Sequence, residues 1–427
     1  MIPSGQAPET PETEKVQCAK CGACVPVCPI FRATGRETLT ARGRIHLLAK
    51  LTAPESSSEF GDILSKCLLC GACRKACPRG IDIPSIIIAA RSETKQYGRN
   101  SFKKKLIRQV LAKPGLLKTV TGFTKLIGLS LPTLPKESGL HLRLAGLDVA
   151  LQLPTRSFVD SQTGPSLSST PGDAVCYFTG CLANHLAPEI AKASVDLIKM
   201  ICGQATILPK NQGCCGMAAL SAGDREQSQK LAKSNIQAFS SSNTIELPIF
   251  TSCSTCFSAL RQYPQLFEAD PVWQKKAEQF AGRVCEFSSF LMDNRREQSR
   301  NSPSFPPSRQ LRVFYHDPCH LRFGHLHGPA PYPPITEPPR KLLQTTTGIT
   351  PAELQNGPQC CGQGGLFHLS HSALSNEIGN ALITNFLALH ADVVVTTCSG
   401  CLLRWKAALL KTDSHVQCHH LAEFIVP

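Results

Sequence analysis

The stretches Cys18–Pro29 (CAKCGACVPVCP) and Cys67–Pro78 (CLLCGACRKACP) each spell C-x2-C-x2-C-x3-C-P. Three thiolates at steps of three residues, wound round a compact loop, can each reach a different iron of one cubane, whereas the fourth is carried beyond reach of that cubane. Two copies of the run can therefore complete each other. The spacing predicts two [4Fe–4S] ligand sets, Cys18, Cys21, Cys24 with Cys77, and Cys67, Cys70, Cys73 with Cys28. Gly22 and Gly71 let the backbone bend close enough for its N–H groups to face the sulfides. Zinc takes its ligands as two separated pairs and matches a triple run with a trailing Cys-Pro poorly. Between Cys28 and Cys67 lie 38 residues, in which Leu39 to Leu51, with Arg42-Gly43-Arg44, has helical spacing. The two clusters are expected on a helical domain.

Outward from these runs, the chain has 427 residues, 42% hydrophobic and 18% charged, which excludes disordered and collagen-like classes and suggests two to four domains. No stretch approaches the roughly 18 apolar residues of a membrane-spanning helix. Met1 to Gln17 has no apolar signal-peptide core, so a cytoplasmic protein is expected, with peripheral contact to the inner face of the cell membrane as an alternative. Of 22 cysteines, only Cys176, Cys202, Cys285 and Cys418 lie outside tight clusters, and clustered thiols in a reducing compartment read as metal or catalytic ligands. The net charge of +14 is partly local: Tyr97 to Lys136 holds nine Lys or Arg and no acid. Phe102, Leu106 and Val110 share a helical face there, and Lys103, Lys104, Lys105 and Arg108 lie mostly on others. This reads as an amphipathic helix docked on a neighbouring domain, or as a contact for an anionic membrane surface or acidic partner rather than for nucleic acid. Ser161 to Gly172 reads as a flexible linker.

From Ala174 onward the chain repeats itself. The first copy carries Cys181, Cys214-Cys215-Gly216 and Cys253-x2-Cys256. The second carries Cys319, Cys360-Cys361-Gly362 and Cys398-x2-Cys401. The offsets between copies are 138, 146, 146, 145 and 145, and the Pro-rich stretch Pro329 to Pro334 accounts for the jump. Short apolar runs at Ala174–Phe178, Ala205–Leu208, Leu247–Thr251, Arg312–Tyr315 and Asp392–Thr397 precede cysteines, and Pro188 to Ile201 reads as a helix. A parallel α/β arrangement would gather each set of five thiolates at the carboxyl ends of its strands, one pocket per repeat. Five thiolates, two of them adjacent, exceed a tetrahedral ion and suit a multi-iron cluster; a zinc using four of them, or a redox dithiol, is the alternative. His316, His320, His325 and His327 near Cys319 could tune or ligate, most of them reading as outer or solvent residues. Gly362-Gln363-Gly364-Gly365 follows a cysteine pair rather than opening a strand-to-helix turn, which argues against a dinucleotide loop.

The two ferredoxin-type runs, the Arg-Gly-Arg between them and the paired CCG and C-x2-C segments together resemble the iron–sulfur subunits of glycolate oxidase and of D-lactate oxidation. Their CCG domains are also found in the heterodisulfide reductase B subunit and the anaerobic glycerol-3-phosphate dehydrogenase C subunit. Ala41 stands where the family usually has Pro, and both C-x2-C pairs are complete here, whereas some glycolate oxidase subunits lack a cysteine in one. The expected organisation is a di-cluster domain over 1–95, a basic helical segment and linker over 96–172, a first CCG repeat over 173–296, a linker over 297–310 and a second repeat over 311–427, the repeats related by a pseudo-two-fold. The resemblance implies an electron-transfer subunit whose partner, an FAD-containing 2-hydroxy-acid dehydrogenase, oxidises glycolate or D-lactate and whose acceptor is a quinone or another carrier. It also implies two rivals: disulfide reduction at the CCG centres, and a role like that of the glycerol-3-phosphate subunit.

Overall fold

The computed structural model describes residues 18–50, 57–94, 157–162, 174–241, 243–295, 310–325, 331–345, 348–412 and 414–426, and the backbone of 141–144 and 147–150. The basic segment Arg99 to Lys136 lies outside the described residues, as do His327 and residues 163–172 of the linker.

The N-terminal region is helical. Helix Pro29–Thr34 begins on the proline that follows Cys28, where a missing N–H costs nothing, and ends at Gly35, whose φ of 64° closes its N–H onto Phe31 O. A 3-10 turn, Glu37–Leu39, leads into helix Ala41–Lys50, the helix expected between the two cysteine runs. Gly43 permits this crossing: a Cβ there would lie 2.4 Å from Glu37 O. Helices Ser58–Ser65, Ala72–Ala76 and Ile83–Glu93 complete the region.

A two-stranded antiparallel hairpin, β1 (His141–Leu144) with β2 (Leu147–Ala150), precedes the repeats. The first repeat is a parallel sheet of β3 (Ala174–Tyr177), β4 (Ala205–Ile207), β5 (Ile249–Thr251) and β6 (Val284–Glu286) in the order β4-β3-β5-β6. The second is a parallel sheet of β7 (Leu311–Tyr315), β8 (Ile349–Ala352), β9 (Val393–Thr396) and β10 (Gln417–His420) in the equivalent order β8-β7-β9-β10. Strands β3, β5 and β9 are buried along their whole length, the pattern of parallel strands covered on both faces. Helix Pro188–Leu197 runs into a π-helical turn, Ile198–Cys202.

The chain leaves β3 to form β4 on one side and returns to form β5 on the other. Such a reversal opens a crevice at the carboxyl ends of the two flanking strands. Cys181 follows β3 and Cys253 follows β5; Cys319 follows β7 and Cys398 follows β9. Sheet topology therefore delivers the cysteines to the crevice of each repeat. One hydrophobic core runs through both repeats, and a second, N-terminal core includes Phe367 and Ile378 of the second repeat.

Candidate metal centres

The cysteine loops of the two N-terminal runs fold alike. Lys20 and Leu69, at matching positions, have φ of 55° and 56°, and Gly22 and Gly71 have φ of 83° and 84°. Such left-handed turns direct successive N–H groups into a concavity suited to an anionic cluster. One small cavity is lined by Cys18, Cys21, Cys24 and Cys77 together with Arg42. The other is lined by Cys28, Cys67, Cys70 and Cys73 together with Arg44. The crossed grouping expected from spacing is thus the grouping that shares each cavity.

Each residue of the Arg-Gly-Arg pair serves a different cavity. Arg42 donates to Lys20 O at 3.0 Å and pairs with Glu37 at the surface. Arg44 is buried, donates from Nε to Ile63 O at 3.0 Å, and keeps Nη2 without a hydrogen-bond partner. Burial pushes the thiols of Cys28 and Cys73 up, and the Arg44 guanidinium pulls both the other way. Cys70 is also raised by burial. A metal reverses this preference, because a coordinated thiol is deprotonated outright. Four converging sulfurs and an unpartnered buried guanidinium nitrogen fit an anionic metal–sulfide group.

The two repeat sets do not form separate pockets. All ten of their thiols line one cavity of about 240 Å³ where the repeats meet, with Cys70 of the N-terminal region on the same wall. Cys253 and Cys398 open the helices Ser254–Arg261 and Ser399–Leu409, so the first turns of both helices face the sulfurs. The two turns pack on each other: Ser254 N donates to Thr397 O at 3.0 Å, and Thr255 Oγ1 lies 3.3 Å from Cys398 Sγ. Hydrogen bonds from Cys181, Cys256 and Cys401 hold Cys214, Cys253 and Cys361, respectively, well below the usual thiol range. The same bonds raise Cys181 and Cys401, and bonds with Cys215 and Cys253 raise Cys256.

The glycines of the CCG motifs are required by the turn. Gly216 has φ of 86° and Gly362 has φ of 80°, and a Cβ on Gly362 would come within 2.6 Å of Ser375 O. In the first repeat Gln212 and Asn235, beside the cysteine pair, are paired, while Thr251 Oγ1 is not. Gln212 accepts from Thr179 N at 2.8 Å and donates to Tyr177 O, while Asn235 bridges Cys214 O and Tyr263 OH, each at 2.9 Å. In the second repeat, His316 Nε2, Gln363 Oε1, His368 Nε2, Ser399 Oγ and Trp405 Nε1 are buried without hydrogen-bond partners. Five such groups would cost about 5–15 kcal/mol if left unmet, as much as the stability of a whole domain. That wall fits a bound group.

The N-terminal region docks on the second repeat. Leu68 packs against Gly364, whose φ is 51° and where a Cβ would meet Leu68 Cδ2 at 2.5 Å. Ser65 Oγ lies 2.7 Å from His371 Nε2, and Arg74 donates to Gly324 O. Arg91 reaches the first repeat, donating to Ser221 O at 2.5 Å and to Cys67 O at 2.7 Å. The stretch Gly362–Gly365 is therefore the seat of the N-terminal cysteine loop. Sequence reasoning set it aside as a poor dinucleotide loop and missed this role, although the first copy has Met217-Ala218-Ala219 where the second has Gln363-Gly364-Gly365.

Of the histidines near Cys319, His316 and His325 are buried rather than in solvent. His320 bonds Thr255 at 3.1 Å and is held down to about 4 by burial. Cys176, Cys202 and Cys418 are core residues, and Cys285 is half-buried in β6. Among the described residues, no helix is long and apolar enough to cross a membrane.

Comparison with known proteins agrees with this layout. Residues 14–81 match the 4Fe-4S dicluster domain, and residues 175–261 and 313–406 each match the cysteine-rich CCG domain. The chain is 27% identical to the probable glycolate oxidase iron-sulfur subunit of Bacillus subtilis (strain 168), over 94% of this chain and 91% of that protein. It is 30% identical to lactate utilization protein A of Exiguobacterium sp. (strain ATCC BAA-1283 / AT1b), over 59% of this chain and 96% of that protein. Lactate utilization protein A of Shouchella clausii (strain KSM-K16) is 28% identical, over 59% and 98%. With two converging thiol cavities in front and two cysteine-rich repeats behind, the chain belongs to the family of iron–sulfur proteins that includes lactate utilization protein A and the glycolate oxidase iron-sulfur subunit.

Proposed function

We propose that the chain is the electron-transfer subunit of a 2-hydroxy-acid oxidising complex, of the glycolate oxidase or D-lactate dehydrogenase type. A partner flavoprotein carries FAD and removes hydride from the acid, and a quinone or another carrier takes the electrons. In this reading Cys18, Cys21, Cys24 and Cys77 hold one [4Fe–4S] cluster, and Cys28, Cys67, Cys70 and Cys73 hold a second. Cys181, Cys214, Cys215, Cys253 and Cys256, with Cys319, Cys360, Cys361, Cys398 and Cys401, hold further iron–sulfur centres. Such clusters supply one-electron steps that divide the electron pair collected by a flavin.

The observation that carries the reading is the position of Cys70. It lines both the second N-terminal cavity and the central cavity, where Cys319 and Cys360 stand on the same walls. Thiols thus continue without a break from the helical region into the second repeat, and through the Cys398–Cys253 contact into the first. Leu68, Leu69, Leu186 and Met217 give this route apolar walls. Arg42 and Arg44 place a positive charge beside each N-terminal set, which favours the reduced, more negative state.

Cys70→Ser tests the reading: one cubane signal should disappear from the electron paramagnetic resonance (EPR) spectrum, and electron flow to an acceptor should stop. Retention of both cubanes with full transfer contradicts it.

A second reading, reduction of a disulfide substrate at the CCG centres, is favoured by the convergence of both thiol sets on one apolar cavity. Two electrons and two protons would then convert one disulfide into two thiols. Disulfide reduction by the purified chain supplied with dithionite would support it.

A further inference from the structure

We propose that His316 is a ligand of the second repeat's metal centre, so that this centre has mixed thiolate and imidazole coordination while the first repeat's is all thiolate. The inference rests on the reading above that the second repeat holds an iron–sulfur centre.

His316 directly follows β7 and is 1% exposed. One of its ring nitrogens, Cys361 Sγ and Cys401 Sγ all lie within 4.8 Å of one another, and the two sulfurs are 3.4 Å apart. Nε2 has no hydrogen-bond partner. The ring is held edge-to-face on Trp405, with centroids 5.5 Å apart and planes at 70°. Trp405 in turn packs on Phe314 and Phe386. An imidazole fixed in this way, buried beside two thiols and with Nε2 unpartnered, has the donor type and the position of a metal ligand. Burying it unmet costs about 1–3 kcal/mol, and a metal held by the adjacent thiolates removes that cost.

The first repeat provides the contrast. Tyr177 OH bonds Ser252 Oγ at 2.7 Å, and the equivalent Tyr315 OH bonds Thr397 Oγ1 at 2.9 Å, so the strand ends superimpose in role. One residue further on, the first repeat has Phe178, which packs on Phe239 at a centroid distance of 6.1 Å. The two centres therefore differ by one donor. With His316 at an iron in place of one of the five thiolates, the second repeat's centre carries less negative charge, and imidazole in place of thiolate raises the reduction potential of an iron–sulfur centre, so the second repeat's centre should be the more easily reduced of the two.

The test is pulsed EPR on the full chain, purified anaerobically and reduced, with histidine labelled by ¹⁵N. A strong histidine-nitrogen coupling on one centre is expected in the unsubstituted protein. It should be lost in His316→Phe, which installs the first repeat's own residue, and in His316→Gln, and the potential of that centre should fall in both. A repeat centre that is present but couples no more strongly to histidine than to backbone nitrogen overturns the ligand assignment alone. Zinc in place of iron in the second repeat overturns the iron–sulfur reading and the assignment with it. The labelled unsubstituted protein gives this answer even if a variant does not fold.

Discussion

The two cysteine-rich repeats share strand order and cysteine spacing, yet they treat their surroundings differently. After Cys214-Cys215-Gly216 the first repeat continues as Met217-Ala218-Ala219 and forms a short helix, Met217–Ser221. After Cys360-Cys361-Gly362 the second continues as Gln363-Gly364-Gly365, a turn with two left-handed glycines, and accepts Leu68 of the N-terminal region. Tyr263 donates to Cys215 O in the first repeat, and Arg404 donates to Cys361 O in the second. Both repeats keep some buried polar atoms unpartnered, but around the cysteine pair the first is closed by Asn235 and Tyr263, whereas the second faces the N-terminal cysteine loop and leaves His316 Nε2 and Gln363 Oε1 unpartnered. The two copies share the cysteine frame, and differences at a few adjacent positions make the second the one that seats the N-terminal cysteine loop.

The largest effect that would break this comparison is loss of electron flow at the junction. Cys360→Ser should leave the N-terminal cubane signals intact while preventing reduction of the first repeat's centre. Cys214→Ser should leave the second repeat's centre reducible. Equal behaviour of the two variants, followed by EPR during stepwise reduction, would mean that both repeats receive electrons directly.

Next in size is the docking seat. Gly364→Ala forces a side chain onto both a left-handed backbone and Leu68, and should destabilise the protein by about 2–6 kcal/mol. The counterpart, Ala218→Gly, only weakens a short helix and should cost about 1 kcal/mol. Thermal unfolding under anaerobic conditions separates them; comparable losses would show that the seat is not specific to the second repeat.

A smaller effect sharpens the view of the first repeat's cysteine pair as closed by Asn235 and Tyr263. Tyr263 OH accepts from Asn235 at 2.9 Å and donates to Cys215 O at 3.1 Å. Tyr263→Phe should lower the unfolding free energy by about 1–3 kcal/mol, read from the urea midpoint, without changing reduction of the second repeat's centre.

Much of this was readable from residues alone, where local spacing carries the information. The C-x2-C-x2-C-x3-C-P runs force one loop geometry, and their crossed grouping reappears as two cavities. The strands preceding the cysteines in the buried middle of each sheet, such as Val393–Thr396, read as apolar runs because both their faces are covered. Of the edge strands of the two repeats only β4 did, as Ala205–Leu208. β6 and β10 are short and carry a cysteine among polar residues, and β8 contains Pro351, tolerated because an edge strand can leave one side unbonded. The shared cavity was also out of reach, since the facing of Cys253 and Cys398 depends on how two whole repeats pack. Two signals were present but unread: His316 against Phe178, and Gln-Gly-Gly against Met-Ala-Ala, visible once the copies are laid side by side.

The most direct measurement of the central claim is EPR on the protein purified anaerobically with its copurifying partners, before and after addition of glycolate or D-lactate. The account predicts that one of these acids produces reduced-cluster signals when a flavoprotein is present. Clusters that dithionite reduces but neither acid does, with the flavoprotein bound, would contradict it.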